Sequence, residues 1–213
     1  KIVKKKIKKK IQKKNLNNYY LKMFLICGLG NPGKKFINTR HNVGFDLIDK
    51  LVLDYNFVII KKDKKSELYK GRIGKNSCIL IKPLTYMNIS GKVVADILNF
   101  YKINKNKLYV LHDDLDLTTA KIKIKIGGGN GGHNGLLSID NNIGKNYNRI
   151  RIGIDHPGNK NLVSSYVLGK FSKKEKNQIS NKLKILSKYF ELLFNNKSLF
   201  LTKVVEEEKL HGI

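Results

Sequence analysis

A glycine-rich segment, residues 127–135 (GGGNGGHNG), constrains the fold of this chain more than any other stretch. It holds six glycines in nine positions, with one histidine and two asparagines. Residues 121–126 before it alternate Lys and Ile, the period of a strand with one exposed and one buried face. Residues 136–139 after it begin an apolar run that predicts a short helix. This order of elements presents backbone N–H groups to an anion or a carbonyl, although glycine content alone equally fits a flexible turn.

Apolar runs typical of buried strands alternate with helical periodicity along the rest of the chain. The clearest runs are residues 24–27, 78–82 and 107–113. Residues 121–126 and 149–154 alternate instead, which favours antiparallel or edge strands. We therefore predict an α/β fold, a single domain with a mixed, twisted β-sheet flanked by helices. The length of 213 residues and the hydrophobic content of 41% suit one such domain.

Three helices are predicted from capping residues and apolar periodicity. They cover residues 39–55, 90–101 and 172–194, and each begins with a Thr or Ser suited to the N-cap position. The last of them also has Glu175 in place for a capping box. His41 lies in the first turn of the first helix, where the positive end of the helix dipole favours a neutral, basic imidazole.

The chain carries a large excess of positive charge, with 43 Lys+Arg against 16 Asp+Glu and a formal net charge of +27. Residues 1–22 contain ten lysines and no acidic residue, so removing them leaves +17 for residues 23–213. This excess favours a polyanionic partner such as nucleic acid. General enrichment in Lys, Asn and Ile is the alternative explanation, since nearly all the cations are Lys.

Residues 1–22 form a basic low-complexity extension, and we place the folded domain at residues 23–213. The extension lacks the Arg and Ser of an organellar presequence. The extension could instead be an arm that contacts phosphates, or the result of a translation start assigned upstream of the true one. We favour the misassigned start. We expect a cytoplasmic protein, or an organelle-matrix protein if the extension is a presequence. Two cysteines within apolar runs indicate a reducing compartment, and the apolar runs are too short to span a membrane.

Residues 28–34 match two phosphate-binding motifs formally, a dinucleotide fingerprint and a partial P-loop. The P-loop interpretation fails because Lys35 stands where the loop needs Ser or Thr to hold magnesium. The dinucleotide interpretation fails because Pro32 and a turn follow, and no acidic residue ends a strand about 20 residues later. We therefore predict no cofactor at this loop.

A cluster of carboxylates, Asp113, Asp114 and Asp116, suggests a magnesium site as a further alternative. No second carboxylate cluster accompanies it, and the neighbouring His112 suits an orienting role as well. We therefore predict that the protein uses no metal.

Amide and ionisable side chains follow several predicted strands. Asn31, Asn88, Asp113 and Asn134 do so directly, and His41 does so after a loop. Such residues gather at the strand ends of open α/β sheets, so we expect them to meet. They offer a histidine base, a carboxylate that fixes its tautomer, and amides that polarise a carbonyl. Since the chain has no G-x-S-x-G elbow and neither cysteine lies in a loop, we predict acyl hydrolysis by an activated water.

Six motifs resemble those of the bacterial-type peptidyl-tRNA hydrolases, in family order and with family-like spacing. They are residues 28–33 (GLGNPG), 39–42 (TRHN), 82–91 (KPLTYMNISG), 112–117 (HDDLDL), 127–136 (GGGNGGHNGL) and 149–158 (RIRIGIDHPG). The resemblance implies hydrolysis of the ester between a peptide and the 3′-terminal ribose of tRNA, which recycles tRNA during translation. It implies no metal or organic cofactor, and peptidyl-tRNA as the partner through its acceptor stem and 3′ end. We expect a monomer.

The resemblance also implies roles for individual residues. His41 matches the catalytic base of the family, and Asp113 matches the carboxylate that orients it. Asn31 and Asn88 match amides that hold the substrate and the attacking water. Asn134 matches an amide near a mobile loop.

Further positions match residues around this centre. Met87 and His133 match pocket-lining positions. Lys125 and Arg151 match a basic pair that clamps the 5′ phosphate of tRNA, and their two alternating strands make such a clamp physically sensible. Phe36 stands where the family usually has Tyr, so a stacking contact is retained and a hydroxyl contact is lost.

Two other functions remain open from the sequence. Plant organellar relatives of the family assist intron splicing, so RNA binding without catalysis is one alternative, although every catalytic position is intact here. A dinucleotide enzyme that uses residues 28–33 is the other.

Overall fold

The computed structural model describes residues 23–210, which form a seven-stranded mixed sheet flanked by helices. The strand order is β2-β3-β4-β1-β5-β7-β6. The strands are β1 Phe24–Gly28, β2 Val58–Lys62, β3 Ser66–Ile73, β4 Asn76–Pro83, β5 Leu108–Asp114, β6 Ile122–Ile126 and β7 Asn148–Gly153. The predicted α/β class with a mixed sheet is confirmed.

The centre of the sheet is parallel and its two sides are antiparallel. β1 pairs in parallel with β4 and β5, and β5 pairs in parallel with β7. β2, β3 and β4 form an antiparallel meander, and β6 pairs antiparallel with β7 at the other edge. The Lys/Ile strand is therefore the antiparallel edge strand that its alternation predicts. The carboxyl ends of β1, β4, β5 and β7 share one edge, which is where polar residues that follow these strands can meet.

Helices cover both faces of the sheet. They are α1 Val43–Asp54, α2 Ser90–Phe100, α3 Asn134–Ile143, α4 Val163–Leu168, α5 Lys173–Tyr189, α6 Leu192–Asn195 and α7 Lys197–Leu210. Successive residues of β1 alternate between the two layers: Ile26 packs with α1 and α5, whereas Leu25 and Cys27 pack with α2 and α3. Both faces of the central strands are buried, which explains their continuous apolar sequence.

The predicted helix boundaries are partly wrong. The capping box of Ser172 and Glu175 is present. A 3-10 turn, Arg40–Asn42, precedes α1, and the Thr39 hydroxyl donates to the Phe36 carbonyl at 2.8 Å and does not cap a helix. Ser90 is the first residue of α2, and its buried side-chain oxygen has no hydrogen-bond partner in the part of the chain that the structure describes. The single C-terminal helix expected over residues 172–194 is divided between α5 and α6.

Close packing explains two glycines of the formal phosphate motif. A Cβ on Gly28 would lie 2.3 Å from the Gly44 carbonyl oxygen, and one on Gly30 would lie 2.7 Å from the Phe45 ring. Both glycines therefore allow α1 to approach the end of β1. This packing gives the glycines a purpose that requires no bound dinucleotide.

The extension predicted for residues 1–22 lies outside the described residues. Within residues 23–210, none of the helices combines the length and the apolar character that a membrane crossing requires.

Candidate active site

A cavity of about 700 Å³ opens beside the carboxyl ends of β1 and β5. Asn31, His41 and Asp113 line it on the side of the sheet. The glycine loop, defined here as residues 127–133, contributes residues 129–133 to the lining, and helix α4 contributes further residues. The site therefore lies where the parallel strands end, as the sequence predicts for an open α/β sheet.

The structure places the His41 ring against the Asp113 carboxylate. The Nδ1 atom of His41 lies 2.9 Å from both carboxylate oxygens, and both side chains are buried. A carboxylate only accepts hydrogen bonds, so Nδ1 carries a proton and donates it. In the neutral ring, the lone pair is then on Nε2. The two residues are 72 positions apart in the chain and meet because the 3-10 turn before α1 lies over the end of β5.

The pKa of His41 shifts in the direction opposite to the one predicted from the helix dipole. Burial lowers the pKa of His41, but the charge and the hydrogen bond of Asp113 outweigh it, so the pKa lies above its ordinary value of 6.5. The predicted bias toward a neutral ring is wrong in sign because the carboxylate dominates. Burial likewise raises the pKa of Asp113, but the two neighbouring imidazoles outweigh it and hold that pKa well below its usual range.

A second histidine, His133, shares the same carboxylate. Its Nδ1 accepts from the backbone N–H groups of Gly135 and Leu136 at 3.1 and 3.4 Å, so it caps α3. The proton of the neutral ring is therefore on Nε2, which donates to Asp113 at 3.1 Å. The expectation that the loop offers free N–H groups to a ligand is wrong at these two positions, because His133 already occupies them.

Ligand atoms of His41, Asp113 and His133 lie within 4.8 Å of one another, a spacing that would allow a metal. The hydrogen bonds disfavour one. Metal binding at Nε2 of His133 would move the proton to Nδ1, which faces two backbone N–H donors. The donor set therefore fits a hydrogen-bond network better than a metal centre.

His112, the neighbour of Asp113 on β5, is buried and also lines the cavity, with its ring centre 5.3 Å from that of His133. Its Nδ1 donates to the Asp113 carbonyl at 2.7 Å, and its buried Nε2 has no hydrogen-bond partner within residues 23–210. Burial lowers the pKa of His112 to about 3, so the ring is neutral. A neutral ring held by the backbone cannot act as a counter-charge for Asp113.

Asn31 is fixed by a residue that the sequence analysis did not single out. Asn42 accepts from the Asn31 N–H at 2.8 Å and donates to the Asn31 carbonyl at 3.0 Å. The side-chain oxygen of Asn31 accepts from the Met87 N–H at 3.1 Å, and both residues line the cavity. Asn42 lies within the TRHN motif next to His41, and this position in the sequence could have identified it as a site residue.

The remaining predicted substrate residues divide into two groups. Asn134, the first residue of α3, lines the cavity. Asn88 is exposed in the 3-10 turn Met87–Ile89 and is not part of the cavity lining. Phe36 is half-buried in the turn Lys34–Phe36, with the Lys35 amine 4.8 Å from its ring centre, and it also lies outside the lining.

The predicted basic pair lies on the neighbouring strands β6 and β7, as expected, but the two residues are not direct partners in the register. Lys125 and Arg151 both line the cavity, but Lys125 is opposite Arg149 in the strand register and Arg151 is opposite Lys123. The Arg151 guanidinium binds Asp114 through Nε at 2.5 Å and Nη2 at 3.0 Å. Arg149, which the sequence did not distinguish from Arg151, is buried and binds Asp140 and the Gly129 carbonyl.

Arg40, next to His41, connects the 3-10 turn Arg40–Asn42 to α4 and the segment after it. Its guanidinium binds Glu175 at 3.0 and 3.1 Å and lies 4.0 Å from the centre of the Tyr166 ring. It also donates to the Lys170 carbonyl at 3.0 Å, and its own N–H donates to the Gly169 carbonyl. The position of His41 therefore depends on the segment that follows α4.

Comparisons with known proteins agree with this geometry. Residues 25–210 match the family described as peptidyl-tRNA hydrolase. The peptidyl-tRNA hydrolase of Rickettsia canadensis is 47% identical over 176 residues, which cover 82% of this chain and 95% of the relative. That of Rickettsia conorii is 49% identical over 176 residues, with the same coverage of both chains.

A solved structure of a peptidyl-tRNA hydrolase has the same fold. The crystal structure of peptidyl-tRNA hydrolase from Acinetobacter baumannii superposes with a TM-score of 0.81 and 37% sequence identity. The match covers 86% of this chain and 95% of that chain. The chain belongs to the peptidyl-tRNA hydrolase family.

Proposed function

We propose that this protein hydrolyses the ester between a peptide and the 3′-terminal ribose of tRNA, with His41 as the general base. The observation that carries the proposal is the contact of Nδ1 of His41 with both oxygens of Asp113 at 2.9 Å. This contact fixes the tautomer in which Nε2 can accept a proton. His41 lines the cavity, so a water bound there can be activated by the ring.

The reaction needs one proton to move twice. Nε2 of His41 takes a proton from water as the water oxygen attacks the ester carbonyl. The ring becomes an imidazolium, which the buried Asp113 carboxylate stabilises. The tetrahedral intermediate then collapses, the ester C–O bond breaks, and the leaving 3′ oxygen of the ribose receives the proton. The products are deacylated tRNA and the peptide carboxylic acid, which releases its proton to solvent and leaves as the carboxylate.

Amide side chains at the cavity serve the peptide and the carbonyl. Asn31 is held rigidly by Asn42 and by the Met87 N–H, which pre-positions its remaining amide N–H groups as donors. Asn134 faces the same cavity from the start of α3. Exposed Asn88 lies outside the lining, so in this proposal it contacts the part of the substrate that extends beyond the cavity.

Positive charge beside the cavity serves the tRNA. Lys125 and Arg151 lie on neighbouring strands at its edge, and we assign them to the 5′ phosphate of the acceptor stem. Phe36 is assigned to stacking near the 3′ end. We also predict that the protein is a monomer, needs no metal or organic cofactor, and works in the cytoplasm or in an organelle matrix. Gel filtration and subcellular fractionation test this prediction.

Cleavage of peptidyl-tRNA by the purified protein in EDTA tests function and metal-independence together. We expect the same turnover in EDTA as in buffer without chelator. Activity that disappears in EDTA and returns with a divalent metal would contradict the proposed mechanism. Binding of peptidyl-tRNA without turnover under both conditions would favour the RNA-binding alternative instead.

A further inference from the structure

We propose that Asp114 is a built-in competitor for the tRNA phosphate at Arg151. The carboxylate occupies the guanidinium in the free protein, and it weakens the binding of a phosphate there. This inference rests on the proposed function, since it concerns the phosphate site assigned to Lys125 and Arg151. In this proposal Asp114 sets how tightly that site holds tRNA.

The contact between the two residues uses the edge of the guanidinium that an oxyanion would take. Arg151 donates from Nε to one oxygen of Asp114 at 2.5 Å and from Nη2 to the other at 3.0 Å. Two parallel N–H groups that bind two oxygens of one anion form the geometry in which arginine recognises phosphate. A phosphate that approaches this edge therefore meets a site in which a carboxylate is already bound.

Asp114 cannot easily leave. Its Oδ1 also accepts from the Asp116 backbone N–H at 3.0 Å, and its side chain is only 11% exposed. The Asp116 carboxylate lies 3.6 Å from Nη2 of Arg151 and adds negative charge on the same side. A phosphate must either displace Asp114 from the Nε–Nη2 edge or bind beside it. In both cases two anions share one partly buried guanidinium, which opposes phosphate binding.

The neighbouring lysines make up for part of this repulsion. Lys123 is opposite Arg151 in the antiparallel register, so the two side chains lie on the same face of the sheet. Lys125 lies two residues further along β6 on that face and lines the cavity. A phosphate of docked tRNA would meet three cations and two carboxylates, of which Asp114 occupies the guanidinium edge, whereas a phosphate of unrelated RNA lacks the other contacts that hold it there. The carboxylate thus favours tRNA that is already docked and speeds the release of deacylated tRNA.

The test is the contribution of the 5′ phosphate to tRNA binding in Asp114→Asn. The probe is deacylated tRNA, either with its 5′ phosphate or after phosphatase treatment. The measurement is the dissociation constant of the dephosphorylated tRNA divided by that of the phosphorylated tRNA at fixed salt. Removal of the competing charge should tighten binding of the phosphorylated tRNA by about three- to tenfold, because exposed and half-buried charges have effects of this size. Binding of the dephosphorylated tRNA should change much less.

Two further variants identify the cause. Asp96→Asn removes one negative charge from an exposed position on α2, and it should leave the ratio at the wild-type value. Arg151→Gln combined with Asp114→Asn should lower the ratio below the wild-type value, because the guanidinium is then missing and only Lys123 and Lys125 remain for the phosphate. This double variant also shows that a gain in Asp114→Asn depends on Arg151 and does not come from a general change in charge.

Two results would overturn the inference. If Asp114→Asn lowers the ratio, Asp114 is a support that aims Arg151 at the phosphate. If the ratio stays at the wild-type value while thermal unfolding shows a folded protein, the phosphate does not bind at this edge. Neither result affects the proposed function, which is judged by ester cleavage in the wild type, whereas this experiment measures binding of tRNA that carries no ester.

Discussion

Replacement of Asp113 by Asn should damage catalysis severely while the fold is kept. The carboxylate accepts three contacts, from Nδ1 of His41 at 2.9 Å to each oxygen and from Nε2 of His133 at 3.1 Å. An amide has only one acceptor oxygen. The tautomer of His133 is fixed by the backbone N–H groups of α3, so its Nε2–H requires that oxygen. The amide N–H₂ of Asn then faces Nδ1 of His41.

An amide oxygen in the place of Oδ1 still contacts Nδ1 of His41, but the amide N–H₂ in the place of Oδ2 opposes the N–H of the ring, so the orientation and tautomer of His41 are held less firmly. His41 also loses the charge that stabilises the imidazolium. Loss of orientation and charge at a histidine base typically lowers kcat by about 10²–10⁴-fold. This loss corresponds to about 3–5 kcal/mol in the activation free energy.

The pH dependence of the rate gives an independent measure of the same contact. Only the unprotonated form of His41 is a base, so the rate rises with pH through the pKa of His41. In the wild type that pKa lies above 6.5 because Asp113 outweighs burial. In Asp113→Asn burial remains and the charge is gone, so the rising limb should move to lower pH.

The assay is kcat/KM for peptidyl-tRNA between about pH 5 and 9. This range covers the ordinary pKa of histidine, near 6.5, on both sides. Thermal unfolding of both proteins checks that the fold is kept. A rising limb that stays in place in Asp113→Asn, or a loss of less than about tenfold in kcat/KM, would refute the role of Asp113 as the partner of the base.

Two further variants test residues that hold the site. His133→Ala should destabilise the protein by about 1 kcal/mol through loss of the α3 cap and also lower kcat, whereas His133→Asn should restore the stability but not the rate. Urea unfolding measures the stability and kcat measures the rate. Full recovery of the rate in His133→Asn would contradict the contact with Asp113. Arg40→Gln should destabilise by about 1–3 kcal/mol and lower kcat, because it releases the 3-10 turn Arg40–Asn42 from the segment after α4. Glu175→Gln leaves the carbonyl contacts of Arg40 in place, so it should cost less in both measurements, and equal losses would contradict this account of Arg40.

The topology of the site could be predicted from the sequence because it follows from strand ends. Buried strands that end in polar residues give a parallel centre, and a parallel centre brings the ends of β1 and β5 to one edge. The meeting of His41 with Asp113 follows from that arrangement together with the resemblance to the family. Alternation of Lys and Ile predicted β6 correctly as an antiparallel edge strand, whereas the alternation of residues 149–154 predicted only half of the pairing of β7, which lies inside the sheet, antiparallel to β6 but parallel to β5.

The partners of individual side chains could not be predicted in the same way. Arg149 and Arg151 have the same alternation, yet one is buried against Asp140 and the other binds Asp114 near the surface. His133 caps a helix and binds a carboxylate at once, which requires α3 to begin within reach of β5. These contacts depend on the packing of elements that are distant in the chain, and periodicity carries no information about that packing.

The most direct test of the central claim is a comparison of binding and hydrolysis in His41→Ala. His156→Ala is the matched control, because His156 is an exposed histidine outside the cavity lining. Single-turnover cleavage of peptidyl-tRNA and the dissociation constant for the same tRNA are measured for both variants and the wild type. The account predicts that His41→Ala loses hydrolysis and keeps tRNA affinity, while His156→Ala keeps both. Hydrolysis at the wild-type rate in His41→Ala, or parallel loss of binding and hydrolysis, would contradict the assignment of His41 as the base.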